Sequence, residues 1–529
     1  MIGSRPDDPG VLDPESDPGG VAFGALGVEA GSDLNWIALL RHRVQRRAAG
    51  SARYPWWLLW SLLAGLFALN FTFTVFIVAL PRVAGEFHTS VTTLTWTMVG
   101  PLLAYGLAAP LFGKVGDVFG HRRLFLVGLV GAMVSAVLTA TAASVGMLLF
   151  ARALDGVQGA ATGTASGALI NLAFAPGERV KAMGWWSLVG AGGPVIGVSL
   201  GSPIIAAFGW RALFWLQLGL LAVALGVVYV VVPHRRDGEA VAPRRRAREE
   251  FARMDWVGSA SLSLGVTSLM LALSVGPSVG WTGAGTLVAF VVAVGAIAVF
   301  VHRVRTSAHP FIPARYFARR NFVMPMLLRA AANFAYFGAF FLFPLLMEQG
   351  YGYSIPRVGA IAIARPLTFA IFSPIAGYVA MRVGERVSAV AGAAALTSSL
   401  VLFALLDPSS GTWLVIVALA LSGFGMGVAM PSSSSVMANE VDPSEFGVVA
   451  AAQLLAMQVG EVAGIQVLET VRQSLVRQRG LTHASAGPAL LETFRTPFAL
   501  GAVVAGMGLV AAFFLRAVPR APRPARDAR

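Results

Sequence analysis

The chain has no cysteine, and only 12% of its 529 residues are charged. Without cysteine there are no disulfides, no thiolate metal ligands and no cysteine nucleophile. A soluble globular protein is about one quarter charged. The shortage of charge, together with 56% hydrophobic residues and a mean hydropathy of +0.71, therefore indicates a membrane protein.

Common catalytic motifs are also missing. The sequence contains no Gly-x-x-x-x-Gly-Lys-Ser/Thr phosphate loop and no Gly-x-Ser-x-Gly, and its seven histidines are not paired at metal-ligand spacing. The sequence therefore predicts neither an enzyme nor a bound metal or cofactor.

The positive charge lies mostly between apolar runs. The formal net charge is +14, and the only lysines are Lys114 and Lys181, so nearly all of it is arginine. A basic total can indicate nucleic-acid binding. Arginines in the gaps between apolar runs are instead typical of membrane topology, and we expect no nucleic-acid partner.

Long apolar runs recur along the chain. A spanning helix needs about 20 mostly apolar residues, and in lipid each backbone polar group must be bonded within the helix. The sequence therefore predicts an all-α polytopic membrane protein with fourteen spans. The runs lie at about 56–80, 92–112, 123–143, 146–172, 183–206, 211–232, 256–275, 283–301, 323–347, 358–380, 387–406, 413–436, 447–469 and 496–517.

The arginines also predict an orientation. The gap between the sixth and seventh runs holds seven arginines and the gap between the eighth and ninth holds five, so these gaps and both termini are expected in the cytoplasm. The gap between the last two runs disagrees, because it carries four arginines on the outer side. Either a long loop is exported regardless of its charge, or the count of spans fails near the C-terminus.

A charged stretch after the second run is repeated later in the chain. GKVGDVFGHRR, 113–123, is echoed by GYVAMRVGERV, 377–387, so that Gly113, Gly120 and Arg122 each have a counterpart 264 residues later. The second copy follows the tenth run. This indicates two related halves of six spans with two extra spans between them.

Two six-span halves with this stretch resemble the major facilitator superfamily, and the extra pair resembles its fourteen-span drug:proton antiporter branch of the EmrB/QacA type. The resemblance covers about 55–520 and implies two six-helix bundles plus two central spans. The expected organisation is a cytoplasmic N-terminal tail (1–53), an N-terminal bundle (54–232), a basic linker (233–255), two extra spans (256–302), a second linker (303–322), a C-terminal bundle (323–518) and a tail (519–529).

The first family motif is present in full. Its positions are Gly113, Asp117, Gly120, Arg122 and Arg123. In the family, the aspartate belongs to a charge network that latches one conformation at the cytoplasmic face. The other interpretation is a loop that only fixes topology through its basic residues. Met381 replaces the aspartate in the second copy, so we expect the second latch to be weak or absent.

Two further motifs lie inside spans. Arg152 matches an intramembrane arginine implicated in proton movement, and Asp155, three residues later, shares its helix face. The pair is either a proton relay or a static ion pair. The next run resembles a glycine-rich antiporter motif, predicted either to bend as a gate or only to pack closely. Its matching positions include Gly190, Pro194, Gly197 and Gly201.

The first span departs from the family pattern. The branch usually carries an aspartate there, but that position is Thr72, and nearby Asn70 does not titrate. Glu461 is the best titratable replacement, unless it forms a salt bridge with Arg329 or Arg365. The candidates for lining a substrate cavity are Asn70, Arg329, Asn333 and Arg365.

The resemblance implies a secondary transporter of the cytoplasmic membrane that exports hydrophobic or amphipathic compounds in exchange for protons. Its partners would be a small amphipathic molecule, protons and membrane lipids. One alternative is a dedicated exporter or importer of a single lipid or metabolite with different coupling. Another is a membrane sensor or scaffold that keeps the fold without transport.

Overall fold

A computed structural model describes residues 53–89, 91–94, 96–232, 251, 254–480 and 488–516. The predicted cytoplasmic tails and most of the central basic linker lie outside these residues. All regular structure within them is helical, with no strand.

Most consecutive helices are separated by fewer than ten residues, but α7 and α8 are separated by residues 232–255. A π-helical turn, Leu346–Gly350, follows α11, and a 3₁₀ turn, Pro443–Glu445, precedes α16. The α-helices are α1 (Tyr54–Glu86), α2 (Val91–Leu94), α3 (Trp96–Phe119), α4 (His121–Ala140), α5 (Val145–Ala173), α6 (Arg179–Phe208), α7 (Arg211–Val231), α8 (Trp256–Val279), α9 (Ala284–Thr306), α10 (Ala314–Phe317), α11 (Arg320–Leu345), α12 (Ile355–Ala362), α13 (Ala364–Val383), α14 (Glu385–Ala404), α15 (Thr412–Asn439), α16 (Phe446–Gln478) and α17 (Pro488–Phe513).

Twelve segments in the described part of the chain are long and apolar enough to cross a membrane. The sequence predicts fourteen. The two remaining predicted spans correspond to α5 and α6, which are 29 and 30 residues long but are not among the twelve. In α5, charged and small polar residues such as Arg152 and Asp155 dilute the apolar character that a lipid-facing helix needs.

The two halves repeat the same packing. In the N-terminal half, α5 packs against α3 and α4, and α1 packs against α6 and α7; in the C-terminal half, α15 packs against α13 and α14, and α11 packs against α16 and α17. Each half also has its own apolar core, with Leu59 and Phe125 fully buried in the first and Phe343 and Phe498 in the second. The internal repeat in the sequence therefore corresponds to a structural repeat.

The halves meet along two seams. Helix α3 of the first half packs against α16 of the second, and α13 of the second packs against α6 of the first. Because the two pairs are equivalent under the repeat, the interface has approximate twofold symmetry. The hairpin of α8 and α9 is added at one seam, where α8 contacts both α3 and α16.

The stretch GKVGDVFGHRR is not the loop that the sequence predicts. Helix α3 continues to Phe119 and α4 begins at His121, so only Gly120 separates them. Gly120 has φ of 96° and its counterpart Gly384 has φ of 97°, a region that glycine adopts without strain. The other two glycines of the stretch are helical, so they do not serve the turn.

Two other predicted runs have different boundaries. The run 358–380 is divided into α12 and α13, which meet at Ile363. Helix α16 extends to Gln478, beyond the predicted end at 469. Two of the four arginines that disagree with the predicted orientation, Arg472 and Arg477, therefore belong to α16 and not to an outer loop, and Arg472 is buried.

Helices α11 and α16 pack with their backbones in contact. A Cβ at Gly460 would collide with the carbonyl oxygen of Ala330, and a Cβ at Gly464 would collide with that of Phe334. Glycine at these positions allows the close approach that is common where helices pack in membranes.

We predict that Gly460→Ala destabilises the protein by about 1–3 kcal/mol, because an added methyl group has no space at this seam. The matched control is Gly506→Ala in α17, where a Cβ would meet nothing within 4 Å. Thermal unfolding in detergent should show a lower midpoint for Gly460→Ala and an equal or higher one for Gly506→Ala, since alanine favours helix. Equal midpoints for the two variants would contradict the close packing.

Candidate functional site

Asp117 connects the two halves at one end of the molecule. It lies near the end of α3, and its carboxylate accepts hydrogen bonds from the backbone N–H groups of Gly447 at 2.8 Å and Val448 at 3.3 Å. These belong to the first turn of α16, whose N–H groups have no partner within the helix. A carboxylate there also interacts favourably with the helix dipole. The side chain of Asp117 is only 3% exposed, which limits screening by solvent.

Neighbouring residues of the motif make this contact possible. A Cβ at Gly113 would lie 2.6 Å from the carbonyl oxygen of Gly447, so glycine is required by the approach of α16. His121 Nε2 lies 3.1 Å from the Asp117 carboxylate. Arg122 donates to the carbonyl oxygens of Val232 and Tyr229 at 2.7 and 3.0 Å, at the C-terminal end of α7.

Arg123 behaves differently from Arg122. Arg123 is exposed to solvent, whereas Arg122 is buried. The two adjacent arginines of the motif therefore have different surroundings, and only Arg122 is positioned to hold α4 against α7.

Arg179 makes a second connection between the halves that the sequence did not predict. It is the first residue of α6, and it donates to Asn439 Oδ1 at 2.6 Å and to the carbonyl oxygen of Ala438 at 3.3 Å, at the C-terminal end of α15. Its guanidinium also lies 4.8 Å from the centre of the Phe446 ring. A cation at a helix C-terminus complements the helix dipole. The same end of the interface is thus held by one acid and one base.

The second copy of the motif has the close approach but no acid. A Cβ at Gly377 would lie 2.8 Å from the backbone of Val180 and Lys181 in α6, equivalent to the approach of Gly113 to Gly447. Met381 stands where Asp117 stands in the first copy. A thioether is at most a weak acceptor and carries no charge. The approximate symmetry of the interface is therefore broken in its electrostatics.

A short segment before the second half covers the connection between α15 and α16. Tyr316 of α10 donates a hydrogen bond to Glu445, and Arg315 lies 3.2 Å from Asp442. Burial, followed by the hydrogen bond with Glu445, raises the pKa of Tyr316. The segment fixes the connection that precedes the Asp117-capped helix.

Arg152 and Asp155 lie close together inside α5. Arg152 Nη1 is 2.6 Å from Asp155 Oδ2, and Gln158 donates to Asp155 Oδ1 at 2.8 Å. Arg152 is 1% exposed, and it also donates to the carbonyl oxygen of Thr97 in α3 at 3.3 Å. The acid offsets the cost of burying the cation. Whether the pair also carries protons remains a prediction.

Glu461 has no partner among the described residues, either as a hydrogen bond or as an ion pair. Arg329 donates to Ser434 Oγ, and Arg365 donates to the carbonyl oxygen of Tyr336 and stacks on that ring with its Cζ 3.4 Å from the centroid. The alternative of a salt bridge between Glu461 and either arginine is therefore not formed in this structure. Glu461 is partly buried and shares a helix face with Ala450 and Leu454.

The polar candidates in the first span and in α11 have mostly local contacts. Asn70 donates to the carbonyl oxygen of Leu66 at 2.8 Å, and Asn333 donates to that of Arg329 at 2.7 Å. Thr72 is 1% exposed, and its hydroxyl has no hydrogen-bond partner within the described part of the chain. No ionisable group thus replaces the absent aspartate at its own position.

The glycine-rich motif lies within a continuous helix, α6. At Gly190 an added Cβ would meet nothing within 4 Å, so packing does not require glycine at that position. The side-chain environments of Pro194, Gly197 and Gly201 lie outside the described part of the structure. In α5, by contrast, a Cβ at Gly163 would collide with the Tyr105 hydroxyl of α3.

Comparison with known proteins identifies the family. A family model described as Major Facilitator Superfamily matches residues 62–465 and 326–529. The chain belongs to the major facilitator superfamily.

Related members of the superfamily come from several bacteria. The tetracenomycin C resistance and export protein of Streptomyces glaucescens is 28% identical, with 81% of this chain and 78% of that protein covered. The puromycin resistance protein pur8 of Streptomyces alboniger is also 28% identical, with 85% and 89% covered. The multidrug resistance protein Stp of Mycobacterium tuberculosis (strain CDC 1551 / Oshkosh) is 26% identical, with 77% and 74% covered.

A solved structure shares the fold of this transporter. The crystal structure of the human organic anion transporter MFSD10 (TETRAN) superposes with a TM-score of 0.59, covering 88% of this chain and 99% of that one. The sequence identity is 18%, so the likeness concerns the fold alone.

A second ion pair within a helix of this transporter was missed from the sequence. Arg472 donates to both carboxylate oxygens of Glu469 at 2.8 and 2.7 Å, and Gln473 donates to one of them at 2.8 Å. As in the cluster of Arg152, Asp155 and Gln158, an arginine and a glutamine both donate to one carboxylate, but here the acid precedes the arginine. The spacing of three between acid and arginine was visible in the sequence, but the predicted run ended at Glu469.

We predict that Asp117→Asn favours the conformation in which this end of the interface is open. Loss of the charge at the α16 N-terminus lowers the free energy that favours the closed conformation by about 1–2 kcal/mol. Because the chain has no cysteine, a single Gln453→Cys reports access to the interface. Its labelling by a water-soluble maleimide should become about 5–30-fold faster with Asp117→Asn.

The matched control is Asp407→Asn. The Asp407 carboxylate also accepts a backbone N–H, from Ser409 at 2.8 Å, but the hydrogen bonds of this side chain remain within its own loop. This variant should leave the labelling rate of Gln453→Cys unchanged. An equal rate in the Asp117→Asn protein would show that the Asp117 contact does not hold the interface closed.

Proposed function

We propose that this transporter exports amphipathic compounds in exchange for protons by alternating access. The observation that carries the proposal is the Asp117 contact, which joins two structurally repeated halves at one end of their shared interface. A contact of this kind stabilises one of two conformations without connecting the halves covalently. The resistance and export functions named for the relatives support the outward direction.

We further propose that the chain has fourteen spans, namely the twelve segments described above together with α5 and α6. Both helices pack inside the repeated bundles in the same way as their counterparts α15 and α16. The arginine-rich connections support the further proposal that the Asp117 end of the interface faces the cytoplasm, in a cytoplasmic membrane with both termini inside. This arrangement corresponds to the EmrB/QacA-like branch.

In this orientation the structure is closed toward the cytoplasm. Opening requires that Gly447 and Val448 lose the Asp117 acceptor and that Arg179 loses the end of α15. Each exposed helix end then becomes accessible to water, which replaces part of the lost hydrogen bonding. The two conformations therefore differ by a few kcal/mol, a difference that binding of a solute or a proton can overcome.

Glu461 is the proposed proton carrier. Two other acids in the interior of long helices, Asp155 and Glu469, are each paired with an arginine, at 2.6 and 2.7 Å. Asp117 and Glu492, nearer to the ends of their helices, also have partners. A carboxylate held by an arginine is stabilised in its charged form and gives up that stabilisation on protonation. Glu461 has no such partner among the described residues, so its protonation breaks no ion pair.

A second transport function has one observation in its favour. The usual acid of the first span is replaced by the buried Thr72. A transporter of a single lipid or metabolite with a different coupling ion would not need that acid. The test below separates the two possibilities.

We predict that Glu461→Gln abolishes proton-coupled transport. Inside-out vesicles with a preformed proton gradient would be monitored with a quenched acridine dye, and a panel of lipophilic cations, neutral drugs and organic acids would be added. Wild-type protein should cause dequenching with at least one compound. Glu461→Gln should give less than about one tenth of that signal, because its amide does not titrate.

The matched control is Glu348→Gln, since Glu348 is an exposed residue of the π-helical turn. It should retain wild-type dequenching. Full activity of Glu461→Gln would assign the proton elsewhere, and Asp155→Asn would then be tested in the same way. No dequenching by folded wild-type protein with any compound would favour the single-substrate alternative over multidrug exchange.

A further inference from the structure

Arginines buried inside the long helices fall into two groups. Arg152 and Arg472 each lie against an acid three residues away, whereas Arg329 and Arg365 have only neutral partners among the described residues. Burial of a cation without a nearby acid is costly, and such residues in membrane proteins usually face a cavity and mark a pathway. The surroundings of the two unpaired arginines differ.

Arg365 is enclosed within the second half. Its guanidinium lies 3.4 Å from the Tyr336 ring centroid and 5.0 Å from that of Phe340. These aromatic faces partly replace an anion, since a ring attracts a cation through its quadrupole. No aromatic ring of the described residues stacks on Arg329 in this way.

Arg329 instead lines a cavity between the two halves. The cavity measures about 10 Å³, room for about one water molecule. Helices α5, α6, α11 and α16 all contribute to its wall. The residues lining it are Gly163, Gly167, Asn171, Met183, Trp186, Arg329, Ala450, Gln453 and Leu454.

The cavity lies directly behind the Asp117 contact. Ala450 and Leu454 follow Gly447 by three and seven residues in α16, which corresponds to roughly 4.5 and 10 Å along the helix. Opening this end of the interface separates α5 and α6 from α11 and α16, so it necessarily enlarges the cavity. Arg329 then becomes accessible from the same side.

Two further groups define what the enlarged cavity would bind. The side-chain oxygen of Asn171 is buried and has no hydrogen-bond donor among the described residues, and Asn171 is 2% exposed. Trp186 contributes an aromatic surface, with its indole N–H directed to Ser166 at 3.3 Å. The wall thus offers a cation, an acceptor and an aromatic face.

We propose that Arg329 binds the anionic group of the exported compound, so that the preferred substrates are aromatic organic acids. This inference rests on the proposed export function and specifies its substrate class. The acid group would pair with the guanidinium in a charge-assisted hydrogen bond, and the rings would lie against Trp186. Because the pairing needs the enlarged cavity, an organic acid favours the conformation that is open at the Asp117 end.

The test compares compounds of one shape and different charge. Purified full-length protein in lipid nanodiscs would be examined by equilibrium dialysis with 2-naphthoate, the neutral 2-naphthamide and the cation 2-naphthylmethylammonium. Naphthoate should bind at least about tenfold more tightly than the amide, as expected for a hydrogen bond to a charged group. Equal affinities of acid and amide in wild-type protein would overturn the proposal without any variant.

Variants assign the preference to Arg329. Arg329→Gln should reduce the preference to less than about twofold, and Arg329→Lys should retain part of it. The matched control is Arg357→Gln, because Arg357 is exposed on α12 and stacks on Tyr353 away from the cavity. A preference that survives Arg329→Gln unchanged would place the anion at another group.

The Asp117→Asn protein gives an independent readout. If the site is reached through this end, naphthoate should bind more tightly to Asp117→Asn than to the wild type, while Asp407→Asn should have no effect. Unchanged affinity would overturn the link to opening. Equilibrium dialysis follows binding and requires no proton exchange, so a failure of Glu461→Gln to abolish antiport would refute the proposed coupling and leave this result standing.

Discussion

The contact between Asp117 and the first turn of α16 determines how the two halves meet. The N–H groups of that turn have no partner within the helix, and a buried helix end without one is unfavourable. Asp117 supplies two acceptors, and the glycines at 113 and 447 let the backbones come near enough for them to reach. The neighbouring contact of Arg179 with the end of α15 depends on the same approach, since the halves must already touch.

Much of the architecture could be predicted from the sequence. The length of the apolar runs predicted helices, and the 264-residue repeat around Gly113 and Gly120 predicted two related halves. The same repeat predicted that Met381 would weaken the second contact, and the structure has the close approach at Gly377 without an acid. What could not be predicted is the partner of Asp117, because it is a backbone 330 residues away. A single sequence carries no signal for a backbone acceptor or donor at that distance.

The ionic groups inside the helices show a similar division. The pair of Arg152 and Asp155 could be predicted because a spacing of three places two side chains on one helix face. Glu461 and Arg329 lie on different helices, so their relation depended on how the helices are rotated, which periodicity in an apolar run does not define. Arg179 was overlooked for another reason: an arginine at the start of a helix has the same sequence signature whether it fixes topology or caps a neighbouring helix.

The asymmetry between the two copies of the motif has a consequence for switching. If both seams carried an acid at a helix N-terminus, the two contributions of about 1 kcal/mol each would add to the stability of the closed form. With Met381 in the second copy, only one seam has an acid at a helix N-terminus. The basic Arg179 acts instead at the C-terminus of α15. A smaller difference between closed and open forms lies within the range that one bound solute or one proton can reverse. The loss of the second acid therefore keeps the two conformations close in energy, which a transporter that must visit both requires.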